Sequence, residues 1–470
     1  MDVLDQITNP YLPSWEYIPD GEPYVFDGRV YVYGSHDKFN GDVYCMGDYV
    51  CWSADVCDLG SWRYEGVIYT KADDPENADL QGNLYAPDVT KGPDGRYYLY
   101  YVLSNKEFVS VAVCDRPAGK YEFYGYVRYE DGVRLGERDG DEMQFDPGVL
   151  TEGDRTYMYT GFCPTDHTGR HGAMCTVLDK DMLTVRSSPA FVVPAAHNSK
   201  GTSFEDHAFF EASSIRKKDG LYYFIYSSEV CRQLCYATSK YPDHDFTYRG
   251  VLVDNGDIGI DSYKRSDMPG CYCANNHGSM VQIADQWYIF YHRHTNGTNY
   301  SRQGCFEKLI PDGSICFKQA MITSCGGTPF TEKGFYPAYL ACNLFTDDEK
   351  LMIPWQGWLD DRFPKITQEG RDGDEVNGYV CNMRNNARAG FKFFDCNNST
   401  VLSVRTKGYA KGSLEIRTDW DGPALGSFDI DYANVWRDTE GKVSLPDGIN
   451  SIYFTFVGEG HMQFAGFTLG

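Results

Sequence analysis

"FFEASSIRKKDGLYYFIYSS", residues 209–228, reads as two β-strands joined by a tight turn. Asp219-Gly220 supplies the turn, because both residues tolerate the positive φ that a two-residue hairpin requires. The second strand is a run of Tyr, Phe and Ile. Glu211 does not belong to that pattern: it is a carboxylate at the start of an inner strand, behind Phe209 and Phe210.

The hairpin has four relatives along the chain: "DGEPYVFDGRVYVYGSHD" (20–37), "APDVTKGPDGRYYLYY" (86–101), "FDPGVLTEGDRTYMYTGF" (145–162) and "NHGSMVQIADQWYIFYHRH" (276–294). Their second strands start near Tyr31, Tyr97, Tyr157, Tyr222 and Trp287, a spacing of 60–66 residues. Further strand-like pieces, such as "SVAVCD" (110–115) and "QLCYATS" (233–239), fill each period to about four strands. Five such periods predict an all-β, five-bladed propeller over residues 1–328. Ahead of each turn, at nearly one offset, stands a polar residue: Asp20, Asp88, Asp146, Glu211 and His277. The first strand of a blade lines the propeller axis, so these five are expected to ring one pocket.

Carboxylates gathered in a partly dry pocket cannot all stay ionised, and at least one pKa must rise. A protonated acid and an ionised partner are the two groups that cleave a glycosidic bond. Apolar neighbours point to Glu211 as the general acid, and the polar, glycine-containing setting of Asp20 points to it as the base. Glu22, two residues further along the same strand face, rivals Asp20. Asp146 is left to tune the pKa of Glu211. Opposite walls of a propeller pocket leave room for a water, which favours inversion.

Composition narrows the partners. The 470 residues carry 67 acidic and 43 basic side chains, a formal charge of −24, which disfavours nucleic acid. No apolar stretch is long enough to span a membrane. "MDVLDQITNPYLPSWEY" lacks a basic region followed by an apolar core, so no secretory signal is read. The 16 cysteines have irregular spacing and no paired zinc motif, which suits reduced thiols and a cytoplasmic location. His292 and His294 share a strand face, as a metal pair or, more simply, a packed polar network.

These residues together resemble glycoside hydrolase family 43. "IPDGEPYVFDGRVYVYGSHD" resembles the family's first motif with Gly21 where proline is usual, "YAPDV" its Ala-Pro-Asp motif with Tyr85 for tryptophan, and "FDPGVL" its Asp-Pro motif. "FEASSI" stands at the general-acid motif with altered neighbours, and "CWSADVCDLGSW", "NHGSMVQ", "YHRH" and "SRQGCFEKL" complete a likeness over about residues 8–325. The resemblance implies Asp20 as general base, Glu211 as general acid and Asp146 as pKa modulator. It implies sugar contacts from Asp88, Phe145, Arg302, His277 and Tyr85, and a calcium ion on the propeller axis to which His277 contributes. The implied activity is inverting exo-hydrolysis of terminal pentoses, as a β-xylosidase or α-L-arabinofuranosidase, with exo-galactanase as an alternative within the family. A non-catalytic sugar-binding propeller, a retaining fructosidase and a mannoside phosphorylase are the readings outside it.

Beyond the propeller, residues 329–470 show short alternating strands such as "AGFKFFDC" (389–396) and "SIYFTFVGEG" (451–460), which predict a β-sandwich. That segment is similar to family 6 carbohydrate-binding modules. Trp355, Trp358, Trp420 and Trp436 are its candidate sugar-stacking or core residues.

Overall fold

The structure is a computed structural model, which describes residues 5–347, 360 and 362–470; Trp355 and Trp358 therefore lie outside the described residues. Five antiparallel sheets follow one another along the chain. The first comprises β1 (Glu22–Phe26), β2 (Arg29–Tyr33), β3 (Tyr49–Asp55) and β4 (Asp58–Tyr69). The second comprises β5 (Asp88–Lys91), β6 (Tyr97–Tyr101), β7 (Ser110–Cys114) and β8 (Glu122–Tyr126), and the third β9 (Gly148–Glu152), β10 (Arg155–Thr160), β11 (Gly172–Leu178) and β12 (Val185–Pro194). The fourth contains β13 (Phe209–Lys218), β14 (Leu221–Ser228), β15 (Gln233–Ser239) and β16 (Thr247–Asp254). The turns behave as their residues dictate: Asp27 and Gly28 have φ of 48° and 78°, Asp219 and Gly220 of 49° and 79°, as a hairpin turn of this type demands.

The fifth sheet has three strands where the repeat predicts four: β17 (Met280–Ile283), β18 (Gln286–Arg293) and β19 (Gln303–Lys308). The reason lies at the other end of the chain. Tyr11 N donates to Gly304 O, and the Asn9 side-chain amide donates to Phe306 O and accepts from Phe306 N. The N-terminal segment thus covers the outer edge of β19, which would otherwise be open to further pairing. At the axis Gly21 and Gly278 form a parallel bridge between the first and fifth sheets. A Cβ on Gly278 would stand 2.0 Å from Phe290 O of β18, so only glycine fits where the chain entering β17 runs this close to β18.

Five apolar cores lie between successive sheets. Tyr33 and Tyr49 pack with Val89 and Leu99, Tyr98 and Val111 with Val149 and Met158, Tyr159 and Ala173 with Phe209 and Phe224. Ile225 and Tyr236 pack with Ile289 and Tyr291, and Val281 and Phe290 return to Val30 and Trp52. This closed cycle is why tyrosine is so abundant: a bulky body fills the wedge between sheets while the hydroxyl reaches a partner at its edge, as Tyr100 does at Met182 O.

After two short strands, β20 (Pro311–Asp312) and β21 (Cys316–Phe317), the chain enters the C-terminal β-sandwich. Its sheet runs from β22 (Gly334–Pro337) to β30 (Gly448–Leu469), with the long β27 (Thr400–Arg417) paired along most of β30. Phe391, Phe454, Phe464 and Phe467 stack in its core. The sandwich is pinned to the propeller. Lys392 Nζ lies 2.9 Å from Asp257 Oδ2 with both side chains wholly buried, and Ile366 N donates to Thr295 O. Trp420 is 3 % exposed and packs against Tyr263, Phe345 and Tyr453, so it serves the join between domains rather than an open sugar platform. Trp436 is half-buried, edge-on to Tyr379.

The Asp257–Lys392 pair generates a test. Lys392→Met leaves a buried carboxylate without its cation, which should cost about 3–5 kcal/mol and lower Tm in a thermal unfolding scan. Adding Asp257→Asn should restore much of the loss.

Candidate active site

One end of the propeller opens into a cavity of about 400 Å³, within the range of small-ligand pockets. Asp20, Asp146, Glu211, His277 and Arg302 line it, with Tyr85 and Phe145 among its aromatic walls. Asp20, Asp146, Glu211 and His277 arrive from different blades because the chain between the outer strand of one sheet and the inner strand of the next returns to the axis each time, and Arg302 arrives on the loop between β18 and β19. Asp20 and Asp146 sit just before β1 and β9 with φ of 58° and 45°, and Ala212, beside Glu211, has φ of 65°. Such left-handed non-glycine residues cost on the order of 1 kcal/mol or more each, and they cluster where side chains must be aimed. In β13 the register slips on both sides of Glu211, a bulge that breaks the alternation.

Arg302 sets the charge of Asp20. Its Nη1 donates to Asp20 Oδ1 at 3.0 Å, while Nε and Nη2 donate to the two oxygens of Asp37 at 2.8 and 3.1 Å. The guanidinium also lies 4.9 Å from the Tyr44 ring centre. Ser35 Oγ donates to the other oxygen of Asp20. Burial alone would raise the Asp20 pKa, but the Arg302 charge, together with the hydrogen bond to His292 and the nearby His277, outweighs it and holds the carboxyl well below the usual range. His292 is kept neutral by burial, and its Nδ1 accepts from the Asp20 backbone N–H at 3.3 Å.

Glu211 is the opposite case. It is half-buried, faces the cavity, and its carboxyl makes no hydrogen bond among the described residues. Burial first, then the negative charge of Asp146, push its pKa up to about 8. Asp146 Oδ2 accepts from Ala212 N at 3.1 Å and lies 3.5 Å from His277 Nδ1, so it fixes the backbone next to Glu211 as well as charging its surroundings.

Asp88 departs from the expected ring. It lies inside the ladder, opposite Tyr100, where Asp20 and Asp146 precede theirs. Its oxygens accept from Tyr24 Oη, Val89 N and Val149 N, and it is wholly buried beneath the cavity, so no sugar contact comes from it. Glu22 is also wholly buried and paired with Arg216 at 2.7 Å, which leaves Asp20 as the carboxylate on the cavity. His292 and His294 both point their Nε2 at Asn275 oxygens, a polar network rather than a metal pair. Beside His277, Glu22 Oε1 has no hydrogen-bond partner while Glu22 Oε2 is paired with Arg216, and among the described residues no cluster of three or more His, Cys, Asp or Glu side chains is placed to hold a calcium ion, which takes six to eight oxygens.

Sequence reasoning missed Asp37, Tyr44, Cys45 and Phe162. Asp37 was legible only as the end of "YGSHD"; nothing local shows that it clamps Arg302, 265 positions away. Phe162 completes an aromatic arc from Tyr85 through Phe145 to Phe210, with ring centres 4.9–5.7 Å apart.

One carboxyl held protonated and one held ionised on a shared, aromatic-walled cavity define a glycosidase working by acid–base catalysis. Comparison with known proteins agrees. The model of the glycosyl hydrolases family 43 matches residues 18–310, and the chain belongs to that family. It is 59% identical over 466 residues to a xylosidase/arabinosidase of Thermoclostridium stercorarium, covering 98% of each chain. A xylosidase/arabinosidase of Bacteroides ovatus is 30% identical over 60% of this chain and 87% of its own. Among solved structures, an arabinoxylan arabinofuranohydrolase from Bacillus subtilis, in complex with cellotetraose, shares the fold at 20% identity and a TM-score of 0.52. It covers 98% of this chain and 97% of its own. A β-xylosidase/α-arabinofuranosidase from a compost metagenome, in a calcium-free form with xylotriose, gives 25% identity and a TM-score of 0.53 over 67% of this chain and 98% of its own.

Arg302→Met should expose the electrostatic assignment. A base must be ionised, so kcat/KM falls as pH drops through the Asp20 pKa. Without the guanidinium the strongest influence opposing burial is gone, and the acidic limb of the pH profile should move to higher pH than in the wild-type enzyme.

Proposed function

We propose that this glycoside hydrolase removes terminal pentose units, β-D-xylose and/or α-L-arabinofuranose, from hemicellulose oligosaccharides with inversion of configuration. The observation that carries the reading is that Asp20 and Glu211 face one cavity and only Asp20 is bonded to a guanidinium, which favours opposite protonation of the two. The 59% identity to a xylosidase/arabinosidase supports the pentose.

In this mechanism Glu211 gives its proton to the departing glycosidic oxygen. Asp20 draws a proton from a water that attacks the anomeric carbon from the other face. The bond to the leaving oxygen breaks as the new C–O bond forms; the Asp20 carboxyl then gives its proton to solvent and the Glu211 carboxylate takes one back. Burial, aided by the charge of Asp146, keeps Glu211 protonated at neutral pH. Arg302 has four of its five N–H groups engaged by Asp20, Asp37 and Cys45, which leaves one Nη1 hydrogen for a sugar hydroxyl. The aromatic arc offers ring faces and edges to the sugar's C–H surfaces. All 16 cysteines are unpaired, which supports a reducing compartment and hence action on short, imported oligosaccharides.

Glu211→Gln should lower kcat on xylobiose or arabinoxylan oligosaccharides by about 10²–10⁴-fold, and much less on nitrophenyl glycosides, whose leaving group needs little protonation. In the wild-type enzyme kcat/KM should fall as pH rises through about 8, where Glu211 loses its proton; Glu211→Gln should lack that alkaline limb. Proton NMR of the first-formed sugar should show the inverted anomer. Retention would remove the water-activating role of Asp20.

A further inference from the structure

Beneath the cavity, the inner strands enclose a second polar cluster centred on Arg216, five residues after Glu211 on β13. Its guanidinium lies 4.2 Å from the Tyr24 ring centre. Nη1 donates to Tyr24 Oη at 3.0 Å and to Ile215 O at 2.8 Å, and Nη2 donates to Glu22 Oε2 at 2.7 Å and to Pro23 O at 3.2 Å. Tyr24 Oη donates in turn to Asp88 Oδ1, and Asp88 Oδ2 accepts from Val149 N. Ser214 Oγ stands 3.0 Å from Glu22 Oε2 and 2.7 Å from Ser279 Oγ. A single connected network therefore touches β1, β5, β9, β13 and the segment leading into β17, which is every blade.

The resemblance to family 43 implies a calcium ion on this axis, and the donors present do not fit one. A hard cation needs several free oxygens. Here both Asp88 oxygens and Glu22 Oε2 are already occupied by N–H and O–H donors. Glu22 Oε1 alone has no hydrogen-bond partner, and it lies 3.8 Å from His277 Nε2. The same carboxylate carries a guanidinium at 2.7 Å, a fixed positive charge that would repel a divalent ion. Among the described residues no cluster of three or more His, Cys, Asp or Glu side chains is placed to hold a metal.

We propose that Arg216 is the permanent axial cation of this propeller, standing in for a divalent metal. It neutralises Glu22, and Glu22 in turn faces His277, whose other nitrogen faces Asp146 behind Glu211. Arg216 touches no cavity-lining carboxylate itself; it is a positioning residue that acts through Glu22 and His277. A guanidinium suits the task because its planar fork can bind a carboxylate, a phenol and two carbonyls at once, and it never loses its proton.

The test begins on the wild-type protein, purified in chelator-treated buffers, with bound calcium, magnesium, manganese and zinc counted by mass spectrometry. The expected content is far below one ion per chain. Turnover of nitrophenyl xyloside or arabinofuranoside should be unchanged by EDTA and by added calcium chloride. About one divalent ion per chain, or a loss on chelation that calcium restores, would overturn the proposal. Because metal content needs no substrate, this outcome is independent of the proposed sugar specificity. Arg216→Met should lower kcat about 10-fold or more with little change in KM, and Arg216→Lys should recover most of it. Loss in KM alone, or no recovery with lysine in a folded variant, would also count against it. If Arg216→Met does not fold, the metal analysis of the wild-type enzyme still decides.

Discussion

Asp20 and Glu211 share one cavity, but only Asp20 has a guanidinium against it. That placement of the Arg302 charge is the constraint on which the chemistry rests. In a low-dielectric pocket a neighbouring charge counts for far more than in water. Arg302 is held there by two hydrogen bonds to Asp37 and so cannot swing across to Glu211. Asp146 completes the asymmetry by placing a negative charge near Glu211 and a hydrogen-bond acceptor against its neighbour's backbone. The result is a proton donor and a proton acceptor made from the same functional group.

The scaffold makes this possible by geometry that a propeller provides cheaply. Each inner strand returns the chain to the axis, so residues 20, 146, 211 and 277 meet although they are far apart in sequence, and the loop between β18 and β19 brings Arg302 to them. The interlocking cores between sheets make the ring rigid, and the left-handed residues at Asp20, Asp146 and Ala212 can persist only in such a frame. The C-terminal sandwich adds to that support. Asp372 accepts from Phe39 N and so braces the loop that carries Asp37 and Tyr44. It is an arm of the active-site framework.

Much of this was legible in the chain. Hairpin turns at Asp27-Gly28 and Asp219-Gly220, and tyrosine-rich strands at a regular spacing, announced the blades, because turn chemistry and strand alternation are local properties. The ring of polar residues was legible for the same reason. Asp88 shows where such reading ends: it stands two positions deeper in its ladder than Asp20 or Asp146 in theirs, level with Glu22, and like Glu22 it is wholly buried beneath the cavity. The missing fourth strand of the last sheet, covered by Asn9 and Tyr11, depends on contacts across about 295 positions. The Arg302–Asp37 clamp is equally non-local. Arg216 lay in plain view in "SSIRKK", yet nothing in that stretch tells a surface cation from one buried on the axis.

The central claim is that Glu211 keeps its proton at neutral pH while Asp20, on the same cavity, does not. The most direct measurement is carboxyl titration in the substrate-free enzyme, by ¹³C NMR of side-chain-labelled glutamate with Glu211→Gln used to assign the resonance. The account predicts a Glu211 carboxyl that is protonated at pH 7 and ionises near 8. A Glu211 resonance already fully ionised at pH 5 would contradict it.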